Sequence, residues 1–376
     1  MSTALTAERV RRDIEVVARA GLDIDTFLSE SVESLGRAVP FSAACLATVD
    51  PGTRLMTGAR KYGDLLGRNE HDHEFGLIEY GHPDPTALTE LAEAGVPAVA
   101  MQAVTSGRLE RSRRMAEFMG PHFGFTDELR VACSDRGQLW GGLCLFRGAD
   151  APAFDEHEVD FLAALSPTFA HGLRAGLLVT LAASAEPRGS VGPTVLIVGA
   201  DDQVLQTSLG AEERLADLLT GENSSAPATV IASLVGAARR YARGETSVPP
   251  RTRVRGASGM GLGLHASPLS ALGDRGGDVV VTIEEARPPE IVPLVVAAFD
   301  LTPRERDVTQ LVLQGVDTKE IAGTLHVSAY TVQDHLKSVF DKADVRSRRE
   351  LIARIYFDQY VPRMGTELGP SGWFSA

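Results

Sequence analysis

The strongest constraint on this chain lies at its end. Between residues 301 and 360 four short helical segments follow one another, each with its own start or stop signal. "LTPRERDVTQLVLQG" opens with Thr302 as an N-cap, Pro303 in the first turn and Glu305 at capping-box distance, and Gly315 ends it. Asp317 or Thr318 begins the second segment, "DTKEIAGTLHV". Ser328 begins the third, "SAYTVQDHLKSVFDKADV", with Thr331 inside its first turn. Ser347 begins the fourth, with Glu350 three residues later. Helices this short are marginal alone, so the tail is expected to be a compact all-α domain whose helices find their core in one another.

Within it, residues 317–325 and 328–343 are two helices joined through Leu325-His326-Val327, the layout of a helix-turn-helix whose second helix can enter a major groove. Ile321, Ala322, Leu325, Val327, Val332, Leu336, Val339 and Phe340 supply the apolar seam. The outer face of the second helix then carries Ser328, Tyr330, Gln333, Asp334, Lys337 and Asp341. Lys337 suits a guanine edge or a phosphate, Gln333 an adenine, and Asp334 the amino group of cytosine. Thr318, Lys319, Thr331, Arg346, Arg348 and Arg349 suit phosphates, which fix register without reading sequence. For any one of these residues the competing reading is an ordinary solvated helix face.

Charge limits how such a domain can work. The formal net charge is −13. The nine Lys/Arg and nine Asp/Glu of residues 301–360 cancel, so the whole excess lies in the rest of the chain. An acidic body is repelled by a phosphate backbone. Binding to nucleic acid therefore requires a local module that gathers its positive groups on one face.

The stretch "LTPRERDVTQLVLQGVDTKEIAGTLHVSAYTVQDHLKSVFDKADVRSRREL" resembles the LuxR/FixJ-type DNA-binding domain. The pattern runs through Leu301-Thr302-Pro303-Arg304-Glu305, Gly315, Lys319-Glu320-Ile321-Ala322, Leu325, Val327-Ser328, Thr331-Val332, His335, Lys337 and Val345-Arg346-Ser347-Arg348. The resemblance implies a four-helix domain that binds inverted half-sites of double-stranded promoter DNA as a homodimer, often through its last helix, here 347–359. RNA polymerase is then a candidate partner. Many members carry a lysine after the Thr-Val pair, where this chain has Gln333 followed by Asp334. That exchange puts the usual target motif in doubt.

Ahead of the tail the pattern is mixed. Residues 6–38 have helical periodicity. "SAACLATVD" and the pair "ELRVACSD" and "QLWGGLCLFR", which flank Asp135-Arg136-Gly137, read as strands and a hairpin. "FDEHEVDFLAALSPTFAHGLRAGLLVTLAA" is a long helix, with Asp155 and Glu158 as a capping box. These motifs resemble a GAF domain, which offers an apolar pocket for a small-molecule ligand or serves as a dimer scaffold. A second strand-helix-strand module resembles a divergent PAS domain. The expected class is therefore multidomain α+β: a GAF-like α/β sensor module at 1–183, a linker at 184–192, a PAS-like module at 193–290 and the all-α helix-turn-helix domain at 297–361.

Other chemistry finds little purchase. Cys45, Cys133 and Cys144 form no CxxC pair and sit in apolar runs, as buried small hydrophobes do. "HDHEFGLIEYGH" offers His71, His73, His82, Asp72 and Glu74 as metal ligands, but reads more simply as a polar loop. "GASGMGLGLH" lacks the βα context of a nucleotide loop. Ser134, Asp135, His157 and His171 show no catalytic spacing. No catalytic residue, cofactor or metal is expected. No apolar run reaches the roughly 18–20 residues of a membrane span, and there is no signal-peptide core, so a cytoplasmic protein is expected. The competing reading is a small-molecule-binding protein or enzyme whose helical tail serves protein interaction.

Overall fold

The computed structural model describes residues 3–182, 192–218, 227–257, 261–270, 276–286 and 288–357. Two five-stranded antiparallel sheets precede the helical tail. The first holds β1 (Ala43–Val49), β2 (Met56–Gly63), β3 (Ala98–Ala100), β4 (Phe125–Asp135) and β5 (Gln138–Gly148), in the order β2-β1-β5-β4-β3. The second holds β6 (Thr194–Val198), β7 (Val204–Thr207), β8 (Arg251–Arg255), β9 (Gly261–Pro268) and β10 (Val279–Glu285), in the order β7-β6-β10-β9-β8. Numbered within its own unit, each sheet thus runs second, first, fifth, fourth, third.

The β4–β5 turn follows from its residues. Asp135 pairs with Gln138 across a two-residue loop. Arg136 (φ +49°) and Gly137 (φ +76°) both take the left-handed conformation that such a turn demands. The run of apolar residues in β5 reflects burial on both sheet faces. Leu143 and Leu145 point to one side, and Cys144 and Phe146 to the other.

On the first side lie α1 (Thr3–Arg19), α2 (Ile24–Leu35) and α7 (Glu156–Ala182), packed around Leu129, Val131, Phe169 and Leu173. The expected capping box of α7 is present: Asp155 Oδ1 accepts from Glu158 N at 2.9 Å, and Glu158 Oε2 accepts from Asp155 N at 3.1 Å. The helical stretch 6–38 divides into two helices, because Gly21 takes φ +68°. α7 also corrects the expectation about apolar runs: it is long and apolar enough to cross a membrane. It is the central helix of the first unit, with Arg174 buried along it.

On the other side lie α3 (Asp72–Gly81), α4 (Leu88–Ala94), α5 (Met101–Thr105) and α6 (Gly120–Phe123). α3 overturns the loop reading of "HDHEFGLIEYGH". Its polar residues obscure an apolar face, in which buried Tyr80 and partly buried Phe75, Leu77 and Ile78 pack inward.

The second unit adds α8 (Ala211–Asp217) and α9 (Pro227–Ala242). α9 lies between the units. Its Val230, Ile231, Leu234 and Val235 join a core shared by Met56 and Tyr80 of the first unit and Leu262, Leu264 and Val281 of the second. The helices α3 and α9 approach at glycines. A Cβ at Gly76 would stand 2.7 Å from the Thr229 carbonyl oxygen, and one at Gly236 would stand 2.9 Å from Gly81 N. Asp50, 2% exposed, adds a bidentate pair with Arg253 at 2.6 and 2.5 Å. The expected linker 184–192 lies outside the described residues save Gly192.

The tail comprises α10 (Pro288–Ala298), α11 (Pro303–Leu313), α12 (Thr318–Leu325), α13 (Ala329–Lys342) and α14 (Arg348–Ile352), the last continuing as a π-helical turn at Ala353–Phe357. Their common core holds Val308, Val312, Ile321, Val332, Leu336, Val339, Leu351 and Ile355. Leu177 and Leu178 of α7 pack against both this core and that of the first unit.

Candidate nucleic-acid interface

The caps of α12 and α13 fix the geometry of the tail. Asp317 Oδ1 accepts from Lys319 N and Glu320 N at 2.8 and 2.9 Å, and Ser328 Oγ accepts from Thr331 N at 3.0 Å. Between them His326 takes φ +54° and Val327 N donates to the Ala322 carbonyl at 3.0 Å, which closes the turn. The seam is as expected: Ile321, Ala322, Val332, Leu336 and Val339 are buried, and Leu325, Val327 and Phe340 partly so.

Beside the apolar core they share, α13 is tied to α11 by a carboxylate. Glu305 completes the capping box of α11, with Oε2 accepting from Thr302 N at 2.7 Å. The same side chain accepts from Ser338 Oγ and Lys342 Nζ of α13, each at 2.6 Å. Burial pushes its pKa up, but the Lys342 and Ser338 bonds and the Thr302 N–H outweigh this and bring it down to about 2.

With one side of α13 committed to the core, the opposite side faces solvent. Tyr330 is 76% exposed, and Gln333, Asp334, Lys337 and Asp341 are exposed on the same face. The spacing i, i+3, i+4, i+7, i+11 places these five in one stripe. The side chains of Tyr330, Gln333, Asp334 and Lys337 have no hydrogen bond or ion pair among the described residues. Lys319, Ser328 and Arg346 are also exposed; Thr318 and Thr331 are half-buried. The Thr331 hydroxyl bonds Ser328 Oγ at 2.8 Å. Arg348 departs from a free phosphate contact, because its guanidinium donates to the Val316 carbonyl and is half-buried. Arg304, not among the expected contacts, also lies at this surface. Exposed on α11, it reaches the Leu325 carbonyl at 3.4 Å, beside the turn between the two helices.

On α14 and the π-helical turn that continues it, Leu351 and Ile355 are 0% and 1% exposed within the tail's own core. The inner face of this helix therefore closes the monomer. Residues 358 and 359 of the expected last helix lie outside the described residues.

Away from the tail, the described residues bring together one set of candidate metal ligands, His71, Glu74 and His122. His73 and His82 do not join it. Cys133 and Cys144 are buried and Cys45 half-buried; burial pushes the Cys45 and Cys133 thiols up to about 12. A cavity of about 40 Å³ lies between the first sheet and α3, walled by Phe75, Phe118, Met119, Phe123 and Phe146. Next to it is a buried ion network that the sequence did not disclose. Arg130 binds Glu79 at 2.5 Å and Glu128 at 3.1 Å, and Arg114 binds Glu128 at 3.0 Å, Asp84 at 3.2 Å and Glu79 at 3.4 Å. These carboxylates take up guanidinium groups, so the cluster reads as structural rather than catalytic.

The tail has the architecture of a bacterial helix-turn-helix domain. Residues 300–355 match the family of bacterial regulatory proteins, luxR family. The spore germination protein GerE of Bacillus subtilis is 38% identical over 55 residues, 15% of this chain and 74% of that protein. The chain belongs to the luxR family of bacterial regulatory proteins. Another B. subtilis protein, the transcriptional regulatory protein DesR, is 39% identical over 67 residues, 18% of this chain and 34% of its own length. Mycobacterium bovis and Mycobacterium tuberculosis have proteins named as HTH-type transcriptional regulators that are 50% identical over 52 residues, 14% of this chain. The chain spans 6% of the length of these mycobacterial relatives. The solved Vibrio cholerae VqmA dimer aligns over 44% of this chain and 81% of its own at 16% identity, with a TM-score of 0.20, too low to support a shared arrangement.

Proposed function

We propose that this chain is a transcriptional regulator that binds double-stranded promoter DNA through the outer face of α13. The observation that carries this reading is the stripe of Tyr330, Gln333, Asp334 and Lys337 on a helix whose other face is fully packed. A helix so placed presents side chains at base-edge spacing while its neighbours grip phosphates. Thr318, Lys319, Ser328, Thr331 and Arg346 surround the stripe as the phosphate set.

The two sheets are the sensor half in this reading, GAF-like at 1–183 and PAS-like at 193–290, with the DNA-binding domain at 297–361. Their common strand order supports two modules of related design. The cavity beneath α3 would have to widen to admit a small-molecule ligand. The state of the front reaches the tail through Asp300, which accepts from Arg136 at 2.7 Å and from Arg174 of α7 at 3.0 Å. A ligand acts by binding one arrangement of this joint better than another. In this reading the homodimer forms through α1 and α7. Leu5 and Val16, on one face of α1, are 63% and 68% exposed. The protein works in the cytoplasm, with RNA polymerase as its partner at the promoter.

Two substitutions test the stripe and its surround. Lys337→Ala should weaken binding to the selected operator by about 1–3 kcal/mol and relax preference at one base pair. Operator affinity equal to wild type in a fluorescence-anisotropy titration would remove Lys337 from the base contacts. Lys319→Ala should weaken every duplex about equally and lower the slope of log affinity against log salt by about one. A loss confined to the operator sequence would contradict a phosphate role.

A further inference from the structure

We infer that His71, Glu74 and His122 form a binding site for a divalent transition-metal ion of the zinc class. The donor set is two imidazoles and a carboxylate, which suits zinc and leaves a fourth position for water or a ligand.

The carboxylate already stands near both imidazoles at the spacing the ion needs. Tetrahedral zinc with bonds of about 2.1 Å sets its ligand atoms about 3.3–3.4 Å apart. Glu74 Oε2 lies 3.0 Å from His122 Nε2 and 3.7 Å from His71 Nδ1, and the three ligand atoms all fall within 4.8 Å of one another. Shifts of a few tenths of an ångström bring both carboxylate–imidazole distances to the tetrahedral value. The two rings are stacked, with centroids 3.7 Å apart and 23° between planes, so they must part to about 5 Å between centroids for both in-plane lone pairs to meet one tetrahedral ion. Phe118 packs edge-on against both rings, and Phe123 does likewise, forming an apolar rim that restricts water around the donors. All three donors are half-buried, so an ion can enter from solvent.

The backbone holds the donors from two directions. His71 precedes the first turn of α3 and Glu74 lies within that turn, while His122 belongs to α6, 48 residues from Glu74. The His122 carbonyl is fixed by Arg68 Nη2 at 3.2 Å. A bound ion would tie α3 to α6. Both helices border the cavity through Phe75 and Phe123, and α3 packs on α9 of the second unit. Metal occupancy would thereby stiffen the wall of the cavity. The site stands whether or not the tail binds DNA.

The test is isothermal titration of Zn²⁺ into the untagged full-length chain, with Co²⁺ as a spectroscopic probe. The expected result is one ion per chain and the visible absorption of four-coordinate cobalt. His122→Ala and Glu74→Gln should each weaken Zn²⁺ binding at least tenfold, while His157→Ala, an exposed histidine on α7, should leave it unchanged. Zn²⁺ should also raise the melting temperature of wild type and not of His122→Ala. The inference is overturned if wild type binds less than one ion, if cobalt stays six-coordinate, or if the His122 and Glu74 variants bind as wild type does. Operator binding, measured separately on the same protein, reports on the tail and not on this site.

Discussion

Arg130→Ala should destabilise the first α/β unit by about 3–5 kcal/mol, a large fraction of a typical domain's stability. Arg130 is 0% exposed and satisfies Glu79 and Glu128, themselves 4% and 0% exposed. Removing it leaves two buried carboxylates with less positive charge beside them. Arg114 still binds both, so the network loses half its cations rather than all of them. Burial pushes Asp84 up, but Arg114 and the Thr86 bonds outweigh it and hold its carboxyl below the usual range, as expected for an ionised network. Urea unfolding followed by circular dichroism should show the first transition move to much lower denaturant. A midpoint equal to wild type would mean that the network contributes nothing net.

Glu305→Ala should destabilise the tail by about 3 kcal/mol. The substitution leaves Lys342 and Ser338 without their acceptor and opens the capping box of α11. Its pH dependence has a definite sign. The folded pKa of about 2 lies below the ordinary value of 4.5, so the contribution is complete above about pH 4.5. It falls away as pH drops from there toward 2. The difference in tail stability between wild type and Glu305→Ala should therefore shrink on acidification. A difference independent of pH between 6 and about 3 would contradict this account.

The tail was legible in the sequence because its signals are local. Thr302, Asp317, Ser328 and Ser347 cap their helices as their types and spacing dictate, and Arg136-Gly137 makes the turn its residues favour. Where several distant segments meet, the sequence was silent. Arg114, Arg130, Glu79 and Glu128 are scattered over 52 residues with nothing to mark them as partners. His122 stands far from the histidines of "HDHEFGLIEYGH", so the proposed ligand set was invisible until α3 and α6 came together. The polar residues of that stretch also hid a helix, since half of its apolar face packs on α9 from the second unit. Gly76 and Gly236 carry no local mark of a contact, yet they are the points where two helices nearly touch.

The proposed function requires the outer face of α13 to read duplex DNA despite an acidic body. Selection from a randomised double-stranded oligonucleotide pool, run with the full-length chain at low ionic strength and in parallel with Gln333→Ala/Lys337→Ala, tests it most directly. The wild-type chain should enrich a defined motif, and the double variant should fail to enrich it while keeping its circular dichroism spectrum. Enrichment of the same motif by both proteins, or of none by the wild type, would contradict it.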